Sequence, residues 1–294
     1  MSTAPGPTRT AEPTRRCAVV GDPVEHSLSP VLHRAAYAAL GLTDVTYDAV
    51  RVPAGGLTAH VAGLGPAWRG LSVTMPHKRE ALALADVRTP LAVAAGGANT
   101  LVLGPDGVRA DNTDVPGAVA ALRERGVTAV SRATVLGGGA TAASTALALT
   151  ELGVRHLTVL VRSPERAAEA VAAVRAHPSA PHVEVVATGA VPVGLEVGDV
   201  VVATIPVAGQ TPDLVALLAS APVVFEVVYD PWPTPLAAAA AAAGATVVDG
   251  LDLLAHQALL QLEQFTGASV AVAVMRDAGR AALAARTAGA GTGA

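Results

Sequence analysis

Short runs of branched apolar residues alternate along the chain with longer stretches in which apolar positions recur every three or four residues. CAVVG (from Cys17), VTYDAV and GLSVT are strand-like. Between them the spacing predicts helices from about Pro30 to Leu40 and from Leu57 to Leu64, with a further helix opening at Pro76. ANTLVLG and GVRADNTD read as two strands split by the turn GPDG. After Asp114 comes a helix, VPGAVAALRERG, and then a strand, a glycine loop and a helix in ATVLGGGATAASTALALTELG. HLTVLVR, VEVVAT, DVVVAT, PVVFEVV and ATVVDG supply more strands, and TPLAAAAAAAG is a helix feeding the last of them. Valine-rich runs of this kind suit a sheet covered on both faces.

The alternation predicts an α/β architecture with parallel strands, in two domains. Residues 15–114 form the first and 115–248 the second, inserted ahead of a helical stretch at 249–286 that returns to the first. Residues 1–14 and 287–294 read as disordered tails.

Composition narrows this picture. The 294 residues are 51% hydrophobic and only 2% aromatic, so the cores are built from Val, Leu and Ala. A net charge of −4 argues against a nucleic-acid partner. No apolar run has the length of a membrane span, and the N-terminus has no apolar signal region, so a cytoplasmic location is expected. Cys17 is the one cysteine, which excludes an internal disulfide. His26, His33, His77 and His256 fall in no metal-ligand spacing and read as structural or peripheral, so no metal is expected.

Three places carry candidate chemistry. Lys78, in SVTMPHK, is the single lysine among 20 Lys and Arg residues. Compositional bias explains the other arginines, but Lys differs from Arg where a proton must be given up. Asp114 ends another apparent strand. The two could form a structural salt bridge, or an acid–base pair over a crevice. In TVLGGGATAAS, Gly137-x-Gly139-x-x-Ala142 follows a strand and opens a helix, as a dinucleotide-binding turn does, although a glycine-rich turn can also bind nothing. The next strand ends in Arg162 and Ser163 with Arg166 a turn later, and no acid stands there to bind a ribose 2′-OH. That favours NADP over NAD, against the alternative of two solvated arginines. Finally, GDPVEHSLSP places Ser27 and Ser29 on a loop able to hold a carboxylate. Ser29 reads first as a helix cap before Pro30, and Ser27 is open between the two roles.

Together GDPVEHSLSPVLH, SVTMPHK, GGANTLV, ADNTDVPG, VLGGGATAA, VVYDPWPTPL and DGLDLLAHQALLQLEQFTG resemble the shikimate dehydrogenase family, in the family's order and over nearly the whole chain. The resemblance implies an N-terminal α/β substrate domain completed by the C-terminal helices, and an inserted Rossmann-type NADP domain. It implies reversible NADPH-dependent reduction of 3-dehydroshikimate to shikimate, in aromatic amino-acid biosynthesis. Lys78 and Asp114 match the catalytic pair, and Ser27 and Ser29 the serines that bind the substrate carboxylate. Thr74, Asn99 and Gln257 match residues that hydrogen-bond substrate, with Tyr229 beside the carboxylate. Gly138, Ala140, Ser163, Thr204 and Gly250 join Gly137, Gly139, Arg162 and Arg166 as cofactor contacts. The partner is then a small molecule, with no membrane and a homodimer as a possible assembly. Ser72 stands where the family frequently has Asn, Val161 replaces an Asn before the arginine, and VVVATIP lacks the Asn of the usual Asn-Ala-Thr. A quinate/shikimate dehydrogenase with broader substrate or NAD use is the near alternative. A non-catalytic metabolite sensor is the alternative of another class.

Overall fold

The computed structural model describes residues 15–291, and its β-strands form two six-stranded sheets. The first contains β1 (Arg15–Gly21), β2 (Val45–Arg51), β3 (Trp68–Val73), β4 (Val87–Arg88), β5 (Thr100–Gly104) and β6 (Gly107–Asp111). Its order is β2-β1-β3-β5-β6-β4. β1 is parallel to β2 and β3, but β5 is antiparallel to both β3 and β6. The expectation of parallel strands therefore fails here, because the short Pro105–Asp106 turn between β5 and β6 leaves no room for a crossover.

The second sheet holds β7 (Arg132–Leu136), β8 (His156–Val161), β9 (His182–Ala187), β10 (Val200–Ala203), β11 (Val223–Glu226) and β12 (Thr246–Val248). It is parallel throughout, in the order β12-β11-β10-β7-β8-β9. Counted from its first strand this is 3-2-1-4-5-6, the doubly wound dinucleotide-binding order, whose crevice lies where the winding reverses, between β7 and β10.

Eleven α-helices cover the sheets among the described residues. α1 (Ser29–Leu40), α2 (Leu57–Ala62), α3 (Lys78–Leu84), α4 (Pro90–Ala94) and α5 (Asp114–Glu124) lie in the first part of the chain. α6 (Ala140–Glu151), α7 (Ala168–Arg175), α8 (Pro212–Leu218) and α9 (Pro235–Ala242) follow, and α10 (Gly250–Thr266) and α11 (Val272–Gly291) end the series. The helix expected from Pro76 starts at Lys78. The C-terminal stretch is two helices, since the chain turns at Gly267 in the left-handed region (φ +74°), where a side chain would be strained. α11 runs to Gly291, so the disordered tail expected from 287 is helical that far; 1–14 and 292–294 lie outside the described residues.

Alanine-rich composition is explained by α6, every residue of which from Ala142 to Thr150 is buried. A helix enclosed on all sides packs closely only if its side chains are small. One face of the first sheet, with Cys17, Val19 and Tyr47, packs together with Leu32 of α1 against Leu251, Ala255, Leu262, Phe265 and Met275 of α10 and α11. The first sheet is thus finished by the last helices. Asp252, wholly buried on α10, pairs with Arg125 (2.6 Å) and with Arg276 of α11 (2.9 Å), and Arg276 and His256 both reach Glu124 of α5. This network fastens α10 between α5 and α11.

His33 is wholly buried on α1, its ring stacked on Tyr47 with centroids 4.0 Å apart. Neither ring nitrogen has a hydrogen-bond partner among the described residues, and burial pushes its pKa down from 6.5 to about 3. Between those values the unfolded chain takes up a proton that the folded one refuses, so stability falls as pH drops through that window. The expected loss from this residue is at most about 1.4 kcal/mol per pH unit. Urea denaturation across the window checks it: His33→Phe should flatten the acid slope, and an unchanged slope would rule His33 out as its source.

Among the described residues no helix is long and apolar enough to cross a membrane, and no group of His, Cys, Asp and Glu is placed to hold a metal ion.

Candidate active site

The first sheet also has a winding reversal, at β1 between β2 and β3, and the loops leaving β1 and β3 flank one crevice. A polar cavity of about 350 Å³ lies there, walled by Ser27, Ser29, Thr74, Lys78, Asn99, Asp114, Tyr229 and Gln257. Eight residues scattered from 27 to 257 are thereby brought together.

Lys78 is the first residue of α3, directly after His77, which is 1% exposed. His77 Nε2 donates to the Val52 carbonyl (2.7 Å), and Nδ1 lies 3.2 Å from Glu80, so the residue before the lysine is fixed from two directions. Opposite, a Cβ on Gly97 would stand 3.2 Å from Lys78 Cβ, so a glycine lets this segment close in. Lys78 Nζ meets Asp114 Oδ2 at 2.6 Å, with side chains 12% and 10% exposed. Asp114 Oδ1 accepts from Asn99 Nδ2 (2.8 Å), which also lies 3.2 Å from Gln257 Oε1. Asn99 is held in turn, its Oδ1 accepting from the Thr113 N–H (2.7 Å) and the Thr100 hydroxyl (2.9 Å). The ion pair is therefore sheltered and satisfied on both carboxylate oxygens, as a buried pair must be to persist.

Ser29 does not cap α1. It is the helix's first residue, makes no side-chain cap bond, and lines the cavity while buried. Ser27 supplies the local bond, its hydroxyl accepting from the Ser29 N–H (3.3 Å). Pro30 already sets the helix start, which frees Ser29's side chain from the role that its position suggested. Tyr229 lines the same cavity, and burial raises its phenol pKa, keeping it a neutral donor. Three hydroxyls thus line the same cavity as the ammonium–carboxylate pair and its amides.

Two cavity residues escaped sequence reasoning as ligands. Gln261 is one helical turn beyond Gln257, a spacing that puts both on one face and was legible. Its Nε2 donates to the Asn99 carbonyl and the Thr100 hydroxyl (3.0 Å each), and its Oε1 accepts from Ser72 (2.6 Å). Ser72, expected only as a departure from a family pattern, accepts from Tyr47 and lines the cavity. His26, expected to be peripheral, also borders it.

The second sheet's crevice lies beyond. A groove of about 520 Å³ runs past Gly137, Gly138, Gly139, Arg162, Arg166 and Thr204. Gly137 has φ +124°, and a Cβ there would lie 2.1 Å from Thr204 Oγ1; one on Gly138 would lie 2.2 Å from the Arg166 carbonyl. Both glycines serve the fold of the loop. Gly139 differs: a Cβ there would meet nothing within 4 Å. It opens α6 toward the groove, leaving the helix's free N–H groups approachable by a phosphate. The Arg162 and Arg166 side chains are exposed and have no ion-pair or hydrogen-bond partner among the described residues. The groove thus fits a dinucleotide, with cations and no acid at the end of β8. Ala140 lines the adjoining cleft of about 440 Å³, with Thr204.

Two expected cofactor contacts are not placed there. Ser163 is not part of the groove wall; its carbonyl instead accepts from the Arg166 N–H. Gly250 borders the polar cavity, where a Cβ would lie 2.1 Å from the Val227 carbonyl, so it serves the close approach of α10 to the end of β11.

A family model described as the shikimate dehydrogenase substrate binding domain matches residues 19–101. A second, described as the shikimate 5′-dehydrogenase C-terminal domain, matches 250–278. A shikimate dehydrogenase (NADP(+)) of Methylobacterium radiotolerans is 41% identical over 267 residues, 86% of this chain and 92% of its own length. The chain belongs to the shikimate dehydrogenase family. Among solved shikimate dehydrogenases, that of Mycobacterium tuberculosis is 43% identical with a TM-score of 0.80, over 91% of this chain and 99% of that one. The shikimate 5-dehydrogenase of Thermus thermophilus, solved in complex with NADP(H) and shikimate, is 30% identical with a TM-score of 0.79, over 92% and 100%.

Proposed function

We propose that this chain catalyses the reversible, NADPH-dependent reduction of 3-dehydroshikimate to shikimate, with Lys78 as the acid–base residue. The observation that carries the assignment is that Lys78 and Thr74 border both the polar cavity and the cleft reached by the glycine loop. A ketone held in the cavity therefore meets its proton donor on the side from which the nucleotide approaches.

Bound NADPH supplies the hydride pair to the ketone carbon, and NADP⁺ takes it back in reverse. The carbonyl oxygen gains the electron pair of the C=O bond, and the Lys78 ammonium gives it a proton to form the alcohol; solvent reprotonates the amine. Asp114 fixes the ammonium in place, and Asn99 fixes Asp114, so the donor is preorganised before charge develops on the oxygen. Ser27, Ser29 and Tyr229 hold the substrate carboxylate, while Thr74, Asn99, Asp114 and Gln257 bind ring oxygens. Lys78 thus meets one carbon of the ring and not its neighbours.

In this reading residues 15–114 and 249–286 form the substrate-binding unit and 115–248 the NADP unit. A cytoplasmic setting suits a chain whose one cysteine, Cys17, is buried and free.

Initial rates with shikimate or quinate, each against NADP⁺ or NAD⁺, test the assignment. Turnover confined to shikimate with NADP⁺ is expected. Preferred turnover of quinate would move the chain to the broader-substrate reading, and binding of shikimate without turnover in any combination would make it a sensor.

A further inference from the structure

The cleft between the two sheets has one wall from each. Gly139, Ala140 and Thr141 at the start of α6 form one side, and Lys78 and Arg79 at the start of α3 stand on the other. The glycine-loop side carries no charged side chain: the run TVLGGGATAAST from Thr134 to Thr145 is wholly neutral. It offers a dinucleotide's pyrophosphate only backbone N–H groups and the partial charge of the helix end. That leaves two phosphate charges to be met from elsewhere.

Among the described residues the basic side chains lining this cleft are Lys78 and Arg79. Lys78 is committed to Asp114 at 2.6 Å and faces the polar cavity as well. Arg79 is the next residue of the helix, turned about 100° from it, and it borders the cleft but not the polar cavity. Nor does it border the groove that holds Arg162 and Arg166. The cations of the nucleotide path thus fall into two stations, one past the end of β8 and one across from the N-terminus of α6.

We propose that Arg79 is a pyrophosphate ligand supplied to the dinucleotide by the substrate-binding unit. The proposal rests on the dinucleotide reading of the groove. A guanidinium fork suits two phosphate oxygens at once, and Arg79 is exposed where it lines the cleft. Arg79 shares its helix with Lys78, so a phosphate bound there also ties the proton donor's helix to the cofactor. Because the pyrophosphate is common to NADP and NAD, Arg79 strengthens binding of both, whereas Arg162 and Arg166 act on NADP alone.

Nicotinamide fluorescence on the full chain, without substrate, measures Kd for NADPH and NADH separately from turnover. Arg79→Gln should weaken both by roughly tenfold or more, the lower end for a hydrogen bond to a charged group, and Arg79→Lys should restore part of the loss. Shikimate binding by Arg79→Gln should stay at the wild-type value, which reports an intact fold. The double variant Arg162→Gln/Arg166→Gln should weaken NADPH and spare NADH. Wild-type Kd values for both nucleotides in Arg79→Gln would overturn the proposal while leaving the dinucleotide reading intact. Loss of NADPH alone in Arg79→Gln would place the residue on the 2′-phosphate and overturn it too. Wild-type protein that bound neither nucleotide would overturn the dinucleotide reading together with the proposal.

Discussion

Lys78→Arg lowers kcat by roughly 10²- to 10⁴-fold, the range expected when a positioned proton donor is lost, while shikimate and NADPH still bind. The substitution keeps a cation beside Asp114, so the sheltered carboxylate is not left unpaired and the fold survives. It removes the one property in which the residues differ chemically, since a guanidinium does not release a proton in a protein site. Lys78→Met is a poorer test, because it strands Asp114 without a counter-charge and mixes lost stability with lost chemistry. Steady-state kinetics beside a thermal melt separate the two. Near-wild-type turnover in Lys78→Arg would remove Lys78 from the proton path.

The second large effect is on cofactor choice. Replacing both Arg162 and Arg166 by Ala should reduce the preference in kcat/KM for NADPH over NADH by about 100-fold or more, taking about 1.5 kcal/mol or more for each hydrogen bond to a charged phosphate. The change should fall on NADPH and leave NADH nearly untouched. Both side chains lack other partners among the described residues, so their removal disturbs no internal contact. An unchanged preference would mean that the two arginines are solvated and that selectivity has another source.

What was legible in the sequence followed local rules. The glycine turn, its flanking strand and its helix are specified within some twenty residues, and periodicity placed most strands and helices. The local rule for a serine before a proline points to a cap, and only the family resemblance put Ser29 among the substrate residues; the tertiary fold sets it on the cavity wall. The antiparallel β5 was misread because parallel pairing was extended from the second half to the first. Gln261 lay within reach, a helical turn after Gln257, but its bonds to Asn99 and Ser72 span 162 and 189 residues. No periodicity reports such a pairing. Arg79 gave no signal of its own, since its place in the cleft depends on how two sheets face one another. Gly250 looked like a nucleotide contact, yet its lack of a side chain is explained by packing against Val227.

The return of α10 and α11 to the first sheet also orders the birth of the molecule. Leu32, Tyr47 and Val19 have no complete core until Leu251, Leu262 and Met275 exist to cover them. The ribosome makes those helices only after the whole second sheet, a delay on the order of ten seconds at usual synthesis rates. The second sheet has its main partners within its own segment and can close as it emerges. The part of the chain synthesised first is the part that finishes folding last, and until then its open apolar face is the surface a chaperone would meet.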